Sequence, residues 1–145
     1  MKLLSPKLIR AGYEYTEQIF EAATGMLGYS PAPQMRLVQP KYARSALHLA
    51  RLAGRLYVYG DFGIFVDVGS PWYTTKPILI EELIVRFRRV YKNRVESAVA
   101  QLDEIGKEHG CVAVGAGDTQ IGLMAPHYLA AGFQVLGTQF YKEIA

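Results

Sequence analysis

A chain of 145 residues, half of them apolar, can bury one hydrophobic core, and we expect a single domain spanning residues 1–145. No apolar run approaches the roughly 18 residues that a membrane span requires, so we expect a cytoplasmic protein without a membrane partner. The formal charge of +3 is modest, and the single cysteine, Cys111, excludes a disulfide within the chain.

The first half of the chain predicts one strand and two helices. Residues 7–12 form the strand, and Thr16 is placed to cap a helix whose apolar residues recur at helical spacing. The prolines of residues 28–34 predict a loop. A second helix is expected over Lys41–Ala53, because its apolar residues share one side and Gly54 suits a left-handed helix end.

The hydrophobic period changes in the second half. Residues 55–69 are rich in β-branched and aromatic side chains and are interrupted by Gly60-Asp61, which predicts a hairpin with a tight turn. Further elements are predicted in chain order as a strand over 78–87, a helix over 95–110, a strand over 111–117, a helix over 126–131 and a strand over 133–144. This order predicts an α/β fold, a twisted mixed sheet of about six or seven strands flanked by about four helices.

Cations are concentrated in two segments. Residues 36–55 contain five cations and no acid, and residues 76–95 contain six cations against Glu81 and Glu82. Such segments favour an anionic partner, which could be a nucleic acid, a phosphorylated cofactor or an acidic protein surface. Aromatic residues interleave with the cations, so nucleic-acid binding is an alternative, although the chain matches no nucleic-acid motif.

Three fragments in the second half resemble the GNAT family of acyl-CoA-dependent N-acyltransferases. They are "IEELIV" at Ile80–Val85, "GC" at Gly110–Cys111 and "YLAAGF" at Tyr128–Phe133. The resemblance is carried by the stretch from Ile78 to Ile144, about half of the chain. With its short N-terminal half, the chain is also similar to compact acetyltransferase-like proteins encoded by bacteriophages.

The resemblance implies acyl transfer from acetyl-CoA to a primary amine of a small molecule or a host protein, in the host cytoplasm if the chain is phage-encoded. Glu81 or Glu82 would be the base for the amine, and Tyr128 the acid for the departing thiolate. Adjacent strand residues point to opposite faces, so we expect only one glutamate to enter the site. The thioester carbonyl would be supported by backbone N–H groups, those of Ile84, Val85 and Arg86. The family also implies a homodimer.

The loop before the helix over 95–110 departs from the family's cofactor signature, Q/R-x-x-G-x-G/A, whose glycines let backbone amides close on a pyrophosphate. The signature positions fall on residues that do not match, in one register Val90, Asn93 and Val95 and in the next Arg89, Lys92 and Arg94. No glycine occurs in residues 88–104. The pyrophosphate would have to be bound by side chains, for which the candidates are Arg88, Arg89, Lys92, Asn93 and Arg94.

Local patterns in the same region allow other interpretations. Asn93 followed by Glu96 predicts a capping box at the helix start, which would occupy the amides that a pyrophosphate needs. One of the two adjacent glutamates could face solvent while the other pairs with Arg86 or Arg88, and Tyr128 could be a packing residue with a solvated hydroxyl.

The three histidines are too scattered for a metal site, so no metal is expected. The missing glycines leave a second hypothesis open, a catalytically inactive GNAT-like protein that binds and modulates a host protein or nucleic acid. Binding of acetyl-CoA would separate the two hypotheses.

Overall fold

The computed structural model describes residues 5–28, 33–117, 124–137 and 140–144. One sheet holds five strands in chain order, namely β1 (Leu8–Arg10), β2 (Leu56–Tyr59), β3 (Phe62–Gly69), β4 (Ile78–Arg86) and β5 (Ala113–Ala116). The pairs β1–β2, β2–β3 and β3–β4 are antiparallel, and the pair β4–β5 is parallel. The described α-helices are α1 (Tyr13–Gly28), α2 (Pro40–Leu52), α3 (Val95–Glu108) and α4 (Ala125–Ala130), with a 3₁₀ helix at Pro33–Leu37. The predicted α/β fold with a mixed sheet is confirmed.

The turns predicted from glycine are present. Gly60 has φ +58 in the connection between β2 and β3, and Gly54 has φ +71 after α2, a region that favours glycine. The predicted cap at Thr16 is wrong, because α1 already begins at Tyr13. Thr16 is fully buried within the helix, and its hydroxyl donates to the carbonyl of Gly12 at 2.8 Å.

The sheet buries one hydrophobic cluster on each face, as the alternation of strand side chains requires. Along β2, Leu56 and Val58 join one cluster and Tyr57 joins the other. The cluster beneath α3 and α4 includes Ile64, Val66, Leu79, Leu102 and Ile105. The cluster beneath α1 and α2 includes Ile19, Leu47, Ala50 and Val85. Strand β4 is therefore covered on both faces. No helix among the described residues is long and apolar enough to cross a membrane.

A β-bulge in β4 changes which side chains face α3. The pairing of β3 with β4 shifts at Glu82, which has no partner on β3. Leu79 before the bulge and Ile84 after it both join the cluster beneath α3, although they are five residues apart. Without the extra residue, an odd separation would place the two side chains on opposite faces.

The predicted strand over residues 133–144 is not formed in its described parts, 133–137 and 140–144, which make no strand pairing. Phe133 packs against the cluster beneath α3 and α4, but large apolar side chains beyond it are exposed, Leu136 to 95% and Phe140 to 94%. A strand needs a ladder partner and a buried face, and a favourable residue pattern supplies neither. The described sheet therefore has five strands rather than about six or seven.

Gly63→Ala should lower the free energy of unfolding by about 1–3 kcal/mol through overpacking. A Cβ on Gly63 would lie 2.6 Å from two side-chain atoms of Ile19, which is fully buried beneath the sheet. Urea unfolding at pH 7 measures the change. Gly69→Ala is the matched control in the same strand, because a Cβ there meets nothing within 4 Å. Equal losses in the two variants would contradict the packing explanation.

Candidate active site

A cleft opens where β4 and β5 part. The parallel pairing ends at Glu81 and Ala116, while β4 continues to Arg86. The cleft has a volume of about 380 Å³ and is bordered by β4, the end of β5, α4 and the C-terminal part of α1. Its lining includes Met26, Glu81, Glu82, Gly117 and Tyr128. Both predicted glutamates and the predicted tyrosine therefore border one cleft.

A buried hydrogen bond joins Tyr128 to Glu81. The Tyr128 hydroxyl donates to Glu81 Oε2 at 3.0 Å, and it lies 3.4 Å from the carbonyl oxygen of Gly117. Only 7% of Tyr128 and 8% of Glu81 is exposed. A buried carboxylate requires such a donor, because removing its charge from water is costly. The contact therefore holds a phenol and a carboxylate together on the cleft wall.

The "YLAAGF" stretch fixes the position of Tyr128. After α4, Gly132 has φ +92 and the Phe133 N–H donates to the Tyr128 carbonyl at 3.1 Å. This turn brings the Phe133 ring to 5.4 Å from the Tyr128 ring, measured between centroids. The ring of Tyr128 thus packs against Phe133, while its hydroxyl faces Glu81.

Glu82 lies at the bulge and remains in contact with solvent. Partial burial raises the pKa of Glu82 above its ordinary value, with a further increase from Asp67 and an opposing effect from Arg55. A carboxylate with a raised pKa is a better proton acceptor near neutral pH. The two adjacent glutamates therefore have different environments.

The predicted support for the thioester carbonyl consists of N–H groups on β4. The Phe87 N–H donates to the Asp61 carbonyl at 2.9 Å, on the β3 side of the strand. Hydrogen-bonding direction alternates along an antiparallel strand, so the Val85 N–H also faces β3. The N–H groups of Ile84 and Arg86 face the other side, beyond the end of β5. These two are the better-placed donors to a carbonyl in the cleft.

A buried carboxylate fills the β4–α3 loop, residues 87–94. Asp61, in the β2–β3 turn, is 0% exposed and accepts hydrogen bonds from the backbone N–H groups of Val90, Tyr91 and Lys92 at 2.7–2.9 Å. Burial would raise the pKa of Asp61, but these N–H groups and the charge of Arg86 outweigh burial and hold the pKa below its ordinary value. The loop therefore already encloses an anion that belongs to the chain itself.

The predicted capping box of Asn93 and Glu96 is wrong. Asn93 Oδ1 accepts from the Asp61 N–H at 2.9 Å, which directs this side chain to the hairpin turn. The capping position of α3 is Arg94, whose side chain makes no capping hydrogen bond. Glu96 lies 3.0 Å from His127 instead of returning to the helix start. A tertiary contact thus replaces the local cap.

Two arginines of the candidate cofactor set are committed to the fold. Arg88 donates to the Gly60 carbonyl at 2.8 and 3.0 Å and to the Tyr15 hydroxyl at 3.0 Å. Arg86 donates to the Asn93 carbonyl at 3.0 Å, and its guanidinium lies 3.5 Å from the Asp61 carboxylate. The other cations of the loop are exposed and have no carboxylate partner among the described residues, namely Arg89, Lys92 and Arg94.

Lys92 has φ +56 and is the only residue other than glycine with a positive φ in the described parts of the chain. This conformation costs roughly 1–2 kcal/mol for a residue with a side chain. One register of the cofactor signature requires a glycine at this position. The loop thus keeps a backbone conformation suited to glycine while it closes around Asp61.

Sequence reasoning assigned Asp61 to a turn and missed its second role. A signal was available, because the turn before β3 must lie beside the end of the antiparallel strand β4. An acid in that turn is therefore placed next to the cationic, glycine-free loop that follows β4.

No family model matches the sequence, and no curated protein matches it. Solved structures match over almost the whole chain. An acetyltransferase of Trypanosoma brucei superposes with a TM-score of 0.67 at 14% identity, covering 97% of this chain and 100% of that one. A GNAT family acetyltransferase of Staphylococcus aureus gives a TM-score of 0.64 at 12% identity, with coverage of 97% and 100%. The chain has the GNAT fold.

An aminoglycoside N-acetyltransferase solved in complex with CoA has the same fold, with a TM-score of 0.66, 11% identity and coverage of 100% of both chains. The TM-scores establish a shared GNAT fold. Because the identities are low, the chemistry has to be argued from the residues of this chain.

Asp61→Asn should lower the free energy of unfolding at pH 7 by about 3 kcal/mol, because an amide NH₂ would face backbone donors and the anion would be lost. The folded-state pKa of Asp61 is lowered, so its stabilisation is present above the unfolded-state pKa of about 3.9 and is lost as pH falls through the folded-state value. Urea unfolding at pH 7 and at pH 3 should therefore show the variant approaching the wild type in acid.

The matched control for that measurement is Glu104→Gln. Glu104 forms an exposed ion pair with Lys107, and such pairs contribute about 0–1 kcal/mol. A loss in Asp61→Asn as small as in this control would show that the buried carboxylate does not hold the loop.

Proposed function

We propose that this chain is an N-acyltransferase that moves an acyl group, acetyl in the simplest case, from a pantetheine thioester such as acetyl-CoA to a primary amine of a small molecule or a protein. The supporting observation is the buried Tyr128–Glu81 hydrogen bond on the wall of the cleft between β4 and β5. The GNAT fold, shared with solved acetyltransferases, supports the same reaction class.

Glu82 is the proposed base. An ammonium must lose a proton before its nitrogen can attack a thioester, and Glu82 borders the cleft with solvent contact and a raised pKa. It would accept the proton directly or through a water. Glu81 is less suited to this role, because its carboxylate already accepts the Tyr128 hydroxyl.

Tyr128 is the proposed acid, and Glu81 is a positioning residue for its hydroxyl. When the C–N bond forms and the C–S bond breaks, the sulfur leaves as a thiolate that needs a proton. A thiol has a pKa of about 8.5 and a tyrosine about 10, so the thiolate is a good leaving group and the acid contributes only part of the rate. The hydroxyl would turn from Glu81 towards the sulfur.

The residues suit one half of CoA better than the other. The cleft and the N–H groups of β4 suit an acyl thioester. The N–H groups of residues 90–92 do not suit a pyrophosphate, because the Asp61 carboxylate already accepts hydrogen bonds from all three. Among the predicted pyrophosphate ligands, the exposed side chains of Arg89, Lys92 and Arg94 remain for the phosphates of CoA.

Tyr128→Phe should lower kcat roughly 10- to 100-fold and leave KM for the donor nearly unchanged, because the hydroxyl acts on the leaving group and not on binding. Thiol release with a panel of primary amines measures both constants. Tyr141→Phe is the matched control, since Tyr141 is exposed and bonds only to Glu143 among the described residues. Unchanged kcat in Tyr128→Phe would reduce this tyrosine to its packing role.

Glu82→Gln should remove the acidic limb of the pH profile of kcat/KM, because that limb reports protonation of the base. The raised pKa places the limb above the ordinary glutamate value of about 4.3. Glu81→Gln should leave the limb in place and reduce kcat through the tyrosine. The reverse pattern would exchange the roles of the two glutamates.

A second candidate function is a catalytically inactive GNAT-like protein that binds a host protein or nucleic acid. It is favoured by the filled anion site and by the three exposed cations of the loop. Binding to heparin or DNA that weakens steeply with salt would support the nucleic-acid form. Absence of acetyl transfer from any pantetheine thioester would favour this candidate over the enzyme.

A further inference from the structure

We propose that the acyl donor is a thioester on the pantetheine arm of an acidic carrier protein, which docks on Arg89, Lys92 and Arg94, and that free CoA is the poorer donor. This inference rests on the proposed acyltransferase function and names its donor class. It follows from the Asp61 carboxylate enclosed by the β4–α3 loop, from the charges around this carboxylate and from the exposed surface of the loop.

The first observation is that the anion site of the loop is full. Three consecutive N–H groups point to the carboxylate of Asp61, which is completely buried. A pyrophosphate could use these groups only by displacing Asp61 or by lying beside it. Displacement would leave the buried Asp61 carboxylate without hydrogen-bond donors, which is costly. A pyrophosphate beside Asp61 would be repelled by its negative charge.

The second observation is that the neighbouring charges also oppose a pyrophosphate. Glu96 stands in the first turn of α3, where a bound phosphate would otherwise gain from the helix N-terminus. The two arginines nearest the site are engaged elsewhere, Arg86 with Asp61 and the Asn93 carbonyl, and Arg88 with Gly60. The two guanidinium groups nearest Asp61 are thus already used by the fold.

The third observation concerns the outer surface of the same loop. Arg89, Lys92 and Arg94 are exposed, and they have no carboxylate partner in the described part of the chain. Val90, between Arg89 and Lys92 in the sequence, has 60% of its surface exposed. A loop that exposes three cations and an apolar residue suits contact with an acidic protein surface, where charge steers docking and the apolar contact excludes water.

The loop and the cleft are joined by one strand. From Arg86 to Glu81, β4 runs beside Phe62–Val66 of β3, which is four residue steps because Glu82 in the bulge has no partner, or about 14 Å at strand rise. A carrier docked on the loop would therefore have to extend its acyl group along β4, which is the task of a pantetheine arm. A free CoA would use the same path for its arm but would bring its phosphates against Asp61 and Glu96.

The transfer step is the same for the carrier and for CoA. The amine nitrogen forms the C–N bond to the acyl carbon, and the C–S bond breaks with its electron pair on sulfur. Glu82 takes one proton from the ammonium before attack and later releases it to solvent. The thiolate on the carrier's arm takes a proton from Tyr128, and the second proton lost by the nitrogen restores the Tyr128 hydroxyl. The products are an amide and the carrier with a free thiol.

The test compares three donors with the same acyl group: acetyl-CoA, acetyl-pantetheine, and an acidic acyl carrier protein bearing an acetylated 4′-phosphopantetheine arm. Calorimetry gives Kd for each, which does not require the acceptor amine, and thiol release gives kcat/KM. The carrier should bind at least 10-fold more tightly than acetyl-CoA and give a kcat/KM at least 10-fold higher. Its binding should weaken with added salt, since the docking charges are exposed.

Charge reversal locates the docking surface. Arg89→Glu, Lys92→Glu and Arg94→Glu should each weaken carrier binding at least 5-fold, a larger loss than for acetyl-pantetheine, which brings no acidic surface. Lys76→Glu is the matched control, an exposed cation at the opposite end of β4. Melting temperatures within about 2 °C of wild type show that the surface changes leave the fold intact.

Two outcomes would overturn the inference in different ways. If acetyl-CoA binds as tightly as the carrier and the three reversals weaken its binding, the cations hold the phosphates of CoA, and the acyltransferase proposal stands without a carrier. If none of the three donors is bound or consumed, the proposed function fails and the donor class fails with it.

Discussion

The structure depends on the burial of one charge. Asp61 lies in a hairpin turn with no exposure to solvent, and its carboxylate is tolerated because three N–H groups and Arg86 surround it. The same contacts connect the β2–β3 turn to the β4–α3 loop, and Asn93 reinforces the connection from the other side. The start of α3, the exposed cations and the donor groups left for an anionic ligand all follow from this arrangement.

Much of the fold was accessible from local patterns. The hairpin at Gly60-Asp61, the long strand β4 and the amphipathic helix α3 were all predicted, because each has a strong period and a suitable turn or end. Pairing over long distances was not accessible. The bulge at Glu82 and the lack of strand pairing in residues 133–137 and 140–144 depend on which strands are neighbours, and a residue pattern does not contain that information.

The candidate site divides in the same way. Glu81 and Tyr128 were selected because the sequence around them resembles a family. They are 47 residues apart in the sequence, and the fold brings them into a hydrogen bond. The capping box at Asn93 was a sound local inference, but the hairpin turn offers this side chain a donor from a distant part of the chain. Local capping is worth about 1 kcal/mol, and a buried network exceeds it readily.

Lys92 and Asp61 together limit how this loop can change during evolution. A glycine at position 92 would relax the loop, but the amides would still be bound to Asp61. Loss of Asp61 alone would free the amides and leave buried donors without a partner. The glycine alone leaves the amides occupied, and the loss of Asp61 alone destabilises the loop unless another anion replaces the carboxylate. A lineage that crossed from one state to the other is therefore expected to have changed position 61, with a glycine at position 92 relieving the remaining strain.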